Sequence, residues 1–304
     1  MKVVLVGKGP MLCSLIEGCR ACGGVDIVGV FRYENLMFSK WKLFLHDFFK
    51  PSVENTLIKK YGLKDLTFKS VNGEDFQRFL VRNNIDVMLV GTWGEKIEKE
   101  TYEIPQLASV NVHPSLLPRY RGPNPYMQVI KNRELFTGYT FHLIDKEFDN
   151  GAILYQKRVE IMPYYTAKEL RERITFEVRQ AMPDFLVALD KGDLIPLEQN
   201  EELASYYPNI TEDEMMLDFE CETAQEIMAR IKALHPWLPS YVTIGEEFYI
   251  PNPYELEIVP NCEKGVSLDS EKMEILACCK DGNGILMRSV KKYREKRINR
   301  FSPR

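Results

Sequence analysis

The sequence predicts an α/β protein in which a mostly parallel sheet flanked by helices precedes a smaller β-rich domain. Short apolar runs alternate with helical patterns through the first half, which is the signature of βαβ units. After residue 210 one helical pattern is followed by several short strand-like segments separated by Pro and Gly, which is typical of a small β domain. The expected architecture is therefore Rossmann-like, with a barrel-like second domain.

The first half contains six predicted strands, because each apolar run is short and is bounded by polar or turn-forming residues. They span residues 3–6, 26–31, 86–90, 108–112, 140–144 and 153–161. Helical periodicity covers residues 11–22, 75–83, 124–132 and 167–189. Residues 41–61 are also largely helical in pattern, but Pro51 interrupts them and is expected to end or kink a helix.

The chain changes character over residues 190–210, which carry little apolar periodicity and several turn-forming residues. Beyond them we predict a helix over residues 221–234. The predicted strands that follow span residues 241–244, 248–250, 254–259, 273–278 and 285–290. A length of 304 residues suits two domains, since one domain typically takes about 100–200 residues. We place the boundary between residues 1–205 and 206–304.

The composition is that of an ordinary globular protein, with 45% hydrophobic and 28% charged residues and a net charge of −4. It excludes collagen-like, coiled-coil and disordered classes. No apolar run approaches the roughly 20 residues of a membrane-spanning helix, and the run at residues 3–6 is too short for a signal-peptide core. We therefore predict a cytoplasmic protein that binds no membrane, with its seven cysteines reduced.

The small net charge hides an asymmetry at the carboxyl terminus. Residues 288–304 hold eight basic groups against the single acidic Glu295, whereas the remaining chain is strongly acidic. This basic run is either a solvated arm or a local patch for a polyanion, and the sequence leaves both alternatives open. The sequence predicts no particular oligomeric state.

Several familiar motifs are incomplete. Gly7-Lys8-Gly9 follows a strand and precedes a helix, but it lacks the further residues of a dinucleotide or P-loop motif, so a tight turn is expected. Cys19 and Cys22, like the pair at 278–279, have no second ligand pair at a zinc-site spacing. We predict no metal site, and no nucleophile elbow is present.

The informative segment spans residues 111–123 and begins at the carboxyl end of a predicted parallel strand, where open α/β sheets bind their ligands. Residues two apart in a strand share a face, so Asn111 and His113 can present an amide and an imidazole to one small volume. Pro114 and Pro118 stiffen the backbone around them. By itself, a lone Asn-x-His is more often structural than catalytic.

This segment resembles the formyltransferase family that takes its one-carbon unit from 10-formyltetrahydrofolate, a group that includes methionyl-tRNA, glycinamide ribonucleotide and amino-sugar formyltransferases. In that family Asn-x-His is followed by Ser-Leu-Leu-Pro, a basic-aromatic-Arg-Gly stretch, and an Asp in a turn before a Gly. The matching residues here are 111–113, 115–118, 119–122 and 148–151. Residues 231–237 resemble the segment that opens the carboxy-terminal domain of the tRNA enzymes.

The resemblance implies a catalytic set of Asn111, His113 and Asp149. Asn111 and His113 are the expected donors to the formyl oxygen, where charge develops as an amine attacks, and such donors are typically worth ~3–4 kcal/mol each. Asp149 is the expected base that takes the proton from the attacking amine, directly or through water, and orienting His113 is its second expected role. The chemistry implied needs no metal and no covalent enzyme intermediate.

The resemblance also implies binding residues. Those expected to contact the folate are Trp93, Gly94, Ser115, Leu116, Leu117 and Pro118. Core packing is an equally good interpretation of Trp93, and His142 is interpreted as a structural histidine. Those expected to contact the acceptor are Arg119, Arg121, Trp41 and Lys42.

The acceptor is the least determined part of the prediction. The resemblance to the tRNA enzymes runs to the carboxyl terminus, so we predict formyl transfer to the amino group of methionyl-tRNA, with residues 1–205 binding the donor and 206–304 the acceptor. Residues 31–42 are aromatic and only mildly basic, unlike the corresponding loop of those enzymes, and such a surface suits stacking on a base or sugar. A nucleotide-linked amino sugar is the alternative, and a folate hydrolase or non-catalytic folate-binding module is a second.

Overall fold

The structure is a computed structural model that describes residues 1–33 and 52–293. Two compact units are formed. The first contains Met1–Arg121, Gly138–Val159 and Glu172–Tyr206, and the second contains Gly122–Thr137, Glu160–Arg171 and the chain from Tyr207 onward. Each unit consists of three separate stretches of the chain, so no single boundary in the sequence divides them. The functional division at residue 205 stays a prediction.

The first unit is built on a seven-stranded sheet. Its strands are β1 Lys2–Gly7, β2 Asp26–Arg32, β3 Asp65–Leu66, β4 Val87–Gly91, β5 Ala108–His113, β6 Phe136–Leu143 and β7 Ile153–Glu160. They lie in the order β3-β2-β1-β4-β5-β6-β7. The pairs from β3 through β5 are parallel, and β6 runs antiparallel to β5. The predicted Rossmann-like, mostly parallel sheet is confirmed. Strand β6 begins at Phe136, earlier than the predicted residue 140.

Helices cover both faces of this sheet, which explains why its central strands are apolar without alternation. Among the described residues up to 200, the helices are α1 Gly9–Ala21, α2 Val53–Tyr61, α3 Glu74–Asn83, α4 Lys99–Tyr102, α5 Pro125–Lys131 and α6 Ala167–Lys191. Helix α5 and the first residues of α6 belong to the second unit. Val4 and Val6 of β1 pack in one cluster with Phe76 of α3. On the opposite face Gly91 lies against Met11 of α1. Of the helical pattern predicted at residues 41–61, residues 41–51 lie outside the described residues.

The turn predicted at Gly7-Lys8-Gly9 connects β1 to α1. The backbone N–H of Gly9 donates a hydrogen bond to the side-chain carboxylate of Glu54, which is buried. Helix N-termini attract anions, and here the protein's own carboxylate occupies that position. The geometry is therefore that of a tight turn closed by an internal partner.

The second unit contains α7 Ala224–Leu234 and two antiparallel sheets. The strands of the two sheets are β8 Val242–Ile244, β9 Glu247–Ile250, β10 Leu256–Val259, β11 Val266–Asp269, β12 Glu274–Cys278, β13 Gly284–Met287 and β14 Lys291–Tyr293. One sheet has the order β10-β13-β12-β11 and the other β14-β9-β8. Helix α7 begins with a capping box between Thr223 and Glu226, and its Ile227 packs in the core of this unit. The predicted β-rich character is confirmed.

None of the helices within residues 1–33 and 52–293 is long and apolar enough to cross a membrane.

Candidate active site

The candidate site is formed by paired residues of β5 and β6, toward the carboxyl end of β5. Asn111 of β5 stands opposite His142 of β6, and His113 stands opposite Thr140. Side chains of directly opposed residues lie on the same face of a sheet, and so do residues two apart along one strand. The pairing register therefore gathers Asn111, His113 and His142 on one face, at the carboxyl end of β5.

Asp149 enters this group from the turn that follows β6. Its carboxylate Oδ1 lies 3.2 Å from Nδ1 of His113 and 3.9 Å from Nε2 of His142. Asp149 has a left-handed backbone with φ of 57°, which Asp tolerates better than most residues. The turn can close only because Gly151 has no side chain, since a Cβ there would lie 1.9 Å from the backbone oxygen of Leu143. The three residues expected to be catalytic thus lie together.

His142 is held in one tautomer. Its Nδ1 lies 2.9 Å from the backbone oxygen of Leu143, which can only accept, so Nδ1 carries the proton and donates it. Its Nε2 is then an acceptor, and the Asn111 amide Nδ2 donates to it over 3.0 Å. Burial lowers the pKa of His142 to about 4, against an opposing effect of Asp149. A neutral His142 therefore fixes the orientation of the Asn111 amide.

His113 is buried and both of its ring nitrogens are engaged. Nε2 donates to the backbone oxygen of Tyr120 over 2.8 Å, and Nδ1 faces Asp149. Burial lowers the pKa of His113, but the charge and hydrogen bond of Asp149 and the carbonyl of Tyr120 outweigh it, so the net shift is upward. His113 consequently retains a proton more readily than an ordinary histidine does.

A pocket opens beside Asn111, His142 and Asp149. It is a cleft that is open to solvent, and its empty space of about 460 Å³ includes part of that solvent. Its other lining residues are Val90, Trp93, Ile97, Ile144 and Phe148 on the apolar side and Glu95, Lys96, Asp145 and Glu147 on the polar side. Val90 and Asn111 place it at the carboxyl ends of β4 and β5, where such sheets bind their ligands.

Trp93 both packs against neighbouring aromatic rings and lines the pocket, so core packing and a position at the site are both observed. Its ring packs against Phe31 and Tyr33 at centroid distances of 5.3 Å and 5.1 Å, and it also lines the pocket. Its indole N–H is buried and has no hydrogen-bond partner among the described residues. Gly94, the next residue, is exposed and lies against the Tyr33 hydroxyl rather than in the pocket wall.

The Ser-Leu-Leu-Pro turn is held by hydrogen bonds within the protein. The Ser115 hydroxyl donates to the backbone oxygen of Arg119, and Leu117 is buried with its own carbonyl bound by Gln156. The described pocket wall includes none of Ser115, Leu116, Leu117 and Pro118. Their role in folate binding stays a prediction.

The residues expected to bind the acceptor have different surroundings, and two of them are not described. Arg119 is exposed, with its guanidinium over the Tyr120 ring. Arg121 is half-buried and makes a bidentate ion pair with Glu201 at 2.7 Å and 2.9 Å. Trp41 and Lys42 lie outside the described residues. In the part of the chain that the structure describes, no group of three or more His, Cys, Asp or Glu side chains is placed to hold a metal ion.

Comparison with known proteins decides the family. The model of the family described as "Formyl transferase" matches residues 1–186. This chain belongs to the formyl transferase family. It is 30% identical to the methionyl-tRNA formyltransferase of Thermotoga neapolitana over 77% of this chain and 72% of that protein. It is 28% identical to the methionyl-tRNA formyltransferase of Kosmotoga olearia over 84% of this chain and 81% of that protein.

Solved structures of the same fold include sugar enzymes. The N-formyltransferase from Helicobacter canadensis, in complex with folinic acid and dTDP-3-aminofucose, superposes with a TM-score of 0.70 at 17% identity, covering 96% of this chain and all of that one. A sugar 3N-formyltransferase with dTDP and 5-N-formyl-THF gives a TM-score of 0.68 at 17% identity, covering 95% and 97%. At this identity the likeness shows the fold of the formyltransferase alone.

Two contacts of this formyltransferase were not foreseen in its sequence. His142 was interpreted as structural, yet it touches Asn111 and lines the pocket. The only signal was its place two residues before Ile144 on a strand that could pair with β5. Gln199, whose amide binds the backbone of Asp149, lies in the irregular connection and left no signal.

The lowered pKa of His142 predicts a pH effect on stability of this formyltransferase. The unfolded chain takes up the proton near pH 6.5, whereas the folded chain resists it to about pH 4, so stability falls as the pH drops through that window. We expect His142→Gln to lack this contribution, which has a maximum slope of about 1.4 kcal/mol per pH unit. Denaturant unfolding of both proteins between pH 4 and 8 measures it, and parallel stability curves would contradict the assignment.

Proposed function

We propose that this formyltransferase moves a formyl group from 10-formyltetrahydrofolate to a primary amine, with Asn111 and Asp149 acting on the reacting atoms and His113 supporting Asp149 from outside the described pocket wall. One observation carries the proposal. The Asp149 carboxylate lies 3.2 Å from His113, and Asp149 shares the wall of the pocket with Asn111. A carboxylate and an amide that line one open cleft suit acyl transfer to an amine.

The pocket suits the pterin of a folate donor. A pterin is a flat ring with hydrogen-bond donors and acceptors at its edge, so it needs apolar walls and polar groups of both kinds. Ile97 and Ile144 contribute apolar surface, and Asp145 and Glu147 contribute acceptors. The buried indole N–H of Trp93 offers a donor whose bond the ligand would supply. The chemistry of the lining residues therefore supports a folate as the formyl donor.

Asn111 is assigned to the formyl oxygen. One amide N–H is used by His142, which prevents the side chain from presenting its carbonyl in that direction. The second N–H is the donor that stabilises the charge developing on the formyl oxygen as the amine attacks. Because the neighbour fixes the amide before the reaction begins, no reorientation is needed during it.

Asp149 is assigned as the acceptor of the proton that the attacking amine must lose. His113 supports it by holding the carboxylate and, when protonated, by adding positive charge beside the reacting atoms. Direct donation from His113 to the formyl oxygen requires one of its two present contacts to open, because Tyr120 and Asp149 engage both ring nitrogens. Holding donor and amine together adds a further entropic advantage.

Methionyl-tRNA is the favoured acceptor. Support comes from the curated relatives of that name, which align over most of this chain at 28–30% identity. The basic run at residues 288–304 also suits a polyanion, although residues 294–304 lie outside the described part. We further propose that residues 1–205 bind the donor and 206–304 the acceptor, and that the protein works in the cytoplasm.

A nucleotide-linked amino sugar is the second candidate. It is favoured by the aromatic residues at 31–42 and by the acidic character of the chain outside the basic run. The structural neighbours that act on sugars share the fold at 17% identity, which does not extend to their acceptor. Hydrolysis of the folate, or folate binding without catalysis, is the remaining alternative.

An acceptor assay tests the proposal. Purified protein is incubated with 10-formyltetrahydrofolate carrying a labelled formyl group, and with methionyl-tRNA, a panel of amino-sugar nucleotides, or no acceptor. Mass spectrometry then locates the label. Formyl-methionyl-tRNA is the expected product, with binding that weakens steeply as salt rises. A labelled sugar would transfer the assignment to the second candidate, labelled formate without acceptor would indicate hydrolysis, and absence of turnover would contradict catalysis.

A further inference from the structure

The segment 199–205, which follows α6 in the first unit, contacts both loops that flank His113. The side-chain amide nitrogen of Gln199 donates to the backbone oxygens of Asp149 and Gly151, each over 2.9 Å. The hydroxyl of Ser205 accepts from the backbone N–H of Tyr120 over 2.9 Å. One short segment thus binds the turn that carries the carboxylate and the loop whose carbonyl binds the other side of the imidazole.

The Asp149 turn gains from such support, because a left-handed backbone is disfavoured for residues that carry a Cβ, although Asp tolerates it better than most. The turn is fixed on one side by the close approach of Gly151 to Leu143. Gln199 fixes it on the other side by binding two of its carbonyls at once. The position of the turn sets the distance between the Asp149 carboxylate and His113.

The other end of the Gln199 amide has an equally definite partner. Its Oε1 accepts from Nη2 and Nε of Arg121 at 2.8 Å and 3.2 Å. A guanidinium only donates and backbone carbonyls only accept, so a single orientation of the amide satisfies all four contacts. The backbone N–H of Arg121 donates in turn to the carbonyl of Ser205. The amide is therefore locked between the Arg121 loop and the Asp149 turn.

We infer that Gln199 is a positioning residue of the transfer site, whose amide keeps the Asp149 turn at the distance from His113 that proton removal from the amine requires. The inference rests on the proposed role of Asp149 as base. Gln199 is half-buried and is absent from the described pocket wall, so it acts through Asp149 rather than on the donor. This role also gives Arg121 a function within the site that does not involve the acceptor.

Two substitutions test the hydrogen bonds made by the two ends of the Gln199 amide. Gln199→Met keeps the length of the side chain and removes all of its hydrogen bonds. Gln199→Glu keeps an acceptor for Arg121 but sets a carboxylate against the carbonyls of Asp149 and Gly151. The matched control is Glu198→Met at the preceding, exposed position. The full-length proteins are compared by kcat, KM for 10-formyltetrahydrofolate, the pH profile of kcat, and Tm.

We expect both Gln199 variants to lose about 10- to 100-fold in kcat, since a misplacement of about 1 Å costs on that order. KM for the folate should change less than about twofold, because Gln199 lies outside the described pocket wall. The limb of the pH profile due to His113 should shift to lower pH as Asp149 moves away from the ring. Glu198→Met should match the wild type.

Asp149→Asn, measured in parallel, separates two kinds of failure. If Asp149→Asn is inactive while Gln199→Met keeps the wild-type kcat and pH profile, the inference on Gln199 is wrong and the proposed base stands. If Asp149→Asn turns over normally, the proposed base itself is wrong. Proportional losses of Tm, kcat and folate affinity with an unmoved pH profile, or failure of both variants to fold, would assign Gln199 to folding and overturn the inference.

Discussion

We expect Asp149→Asn to lower the rate of formyl transfer by about 10²–10⁴-fold, the usual contribution of a general base. The substitution preserves the size of the side chain and its contact with His113, but an amide cannot take the proton from the attacking amine. It also removes the charge that raises the pKa of His113, so the pH dependence of the remaining activity changes. Single-turnover rates with labelled 10-formyltetrahydrofolate measure the loss.

Folate affinity is the internal control for this variant. Asp149 contributes one polar edge to a pocket that is largely formed by other residues, so the Kd for a non-reactive folate analogue should change far less than the rate. Asp184→Asn, at an exposed position of α6, provides a matched change of charge away from the site. A rate for Asp149→Asn within about threefold of that control would refute the assignment of Asp149 as base.

Asn111→Ala is expected to lower kcat by about 10²–10³-fold, the cost of removing one preorganised donor from a developing oxyanion. The variant should bind the folate with an affinity closer to that of the wild type, because the hydrogen bond from Asn111 to the formyl oxygen strengthens mainly in the transition state. Asn111→Asp should be slower still, since a carboxylate would face the oxygen on which negative charge develops. Steady-state kinetics with saturating donor give both values.

The contact between Asn111 and His142 offers an alternative role for Asn111, and Tm measurements separate the two roles. If Asn111 served only to pair with His142, then His142→Gln, which keeps a polar partner, and Asn111→Ala would both act mainly on stability. A large fall in kcat for Asn111→Ala with an unchanged Tm distinguishes donation to the substrate from a packing role. Equal kcat values for Asn111→Ala and the wild type would remove Asn111 from the mechanism.

The elements of the fold were largely predictable because burial on both faces leaves a local signature. Strands β1 and β4 are short apolar runs bounded by turn-forming or polar residues, which is the pattern of strands buried on both faces of a parallel sheet. Strand β3, with only Asp65 and Leu66, is too short to leave a pattern. The exchange of chain segments between the two units was equally invisible, because it depends on contacts between distant residues.

The amino-acid sequence is enough to predict the alternation of strands and helices, and the position of Asn111 and His113 on one face at the end of a strand. Both follow from short-range periodicity, which the side-chain pattern records directly. The contact of His142 with Asn111 across 31 residues, and that of Gln199 with Asp149 across 50, are visible only in the folded protein. Those contacts depend on strand register and turn geometry, which arise when remote segments pack together and which no local spacing encodes.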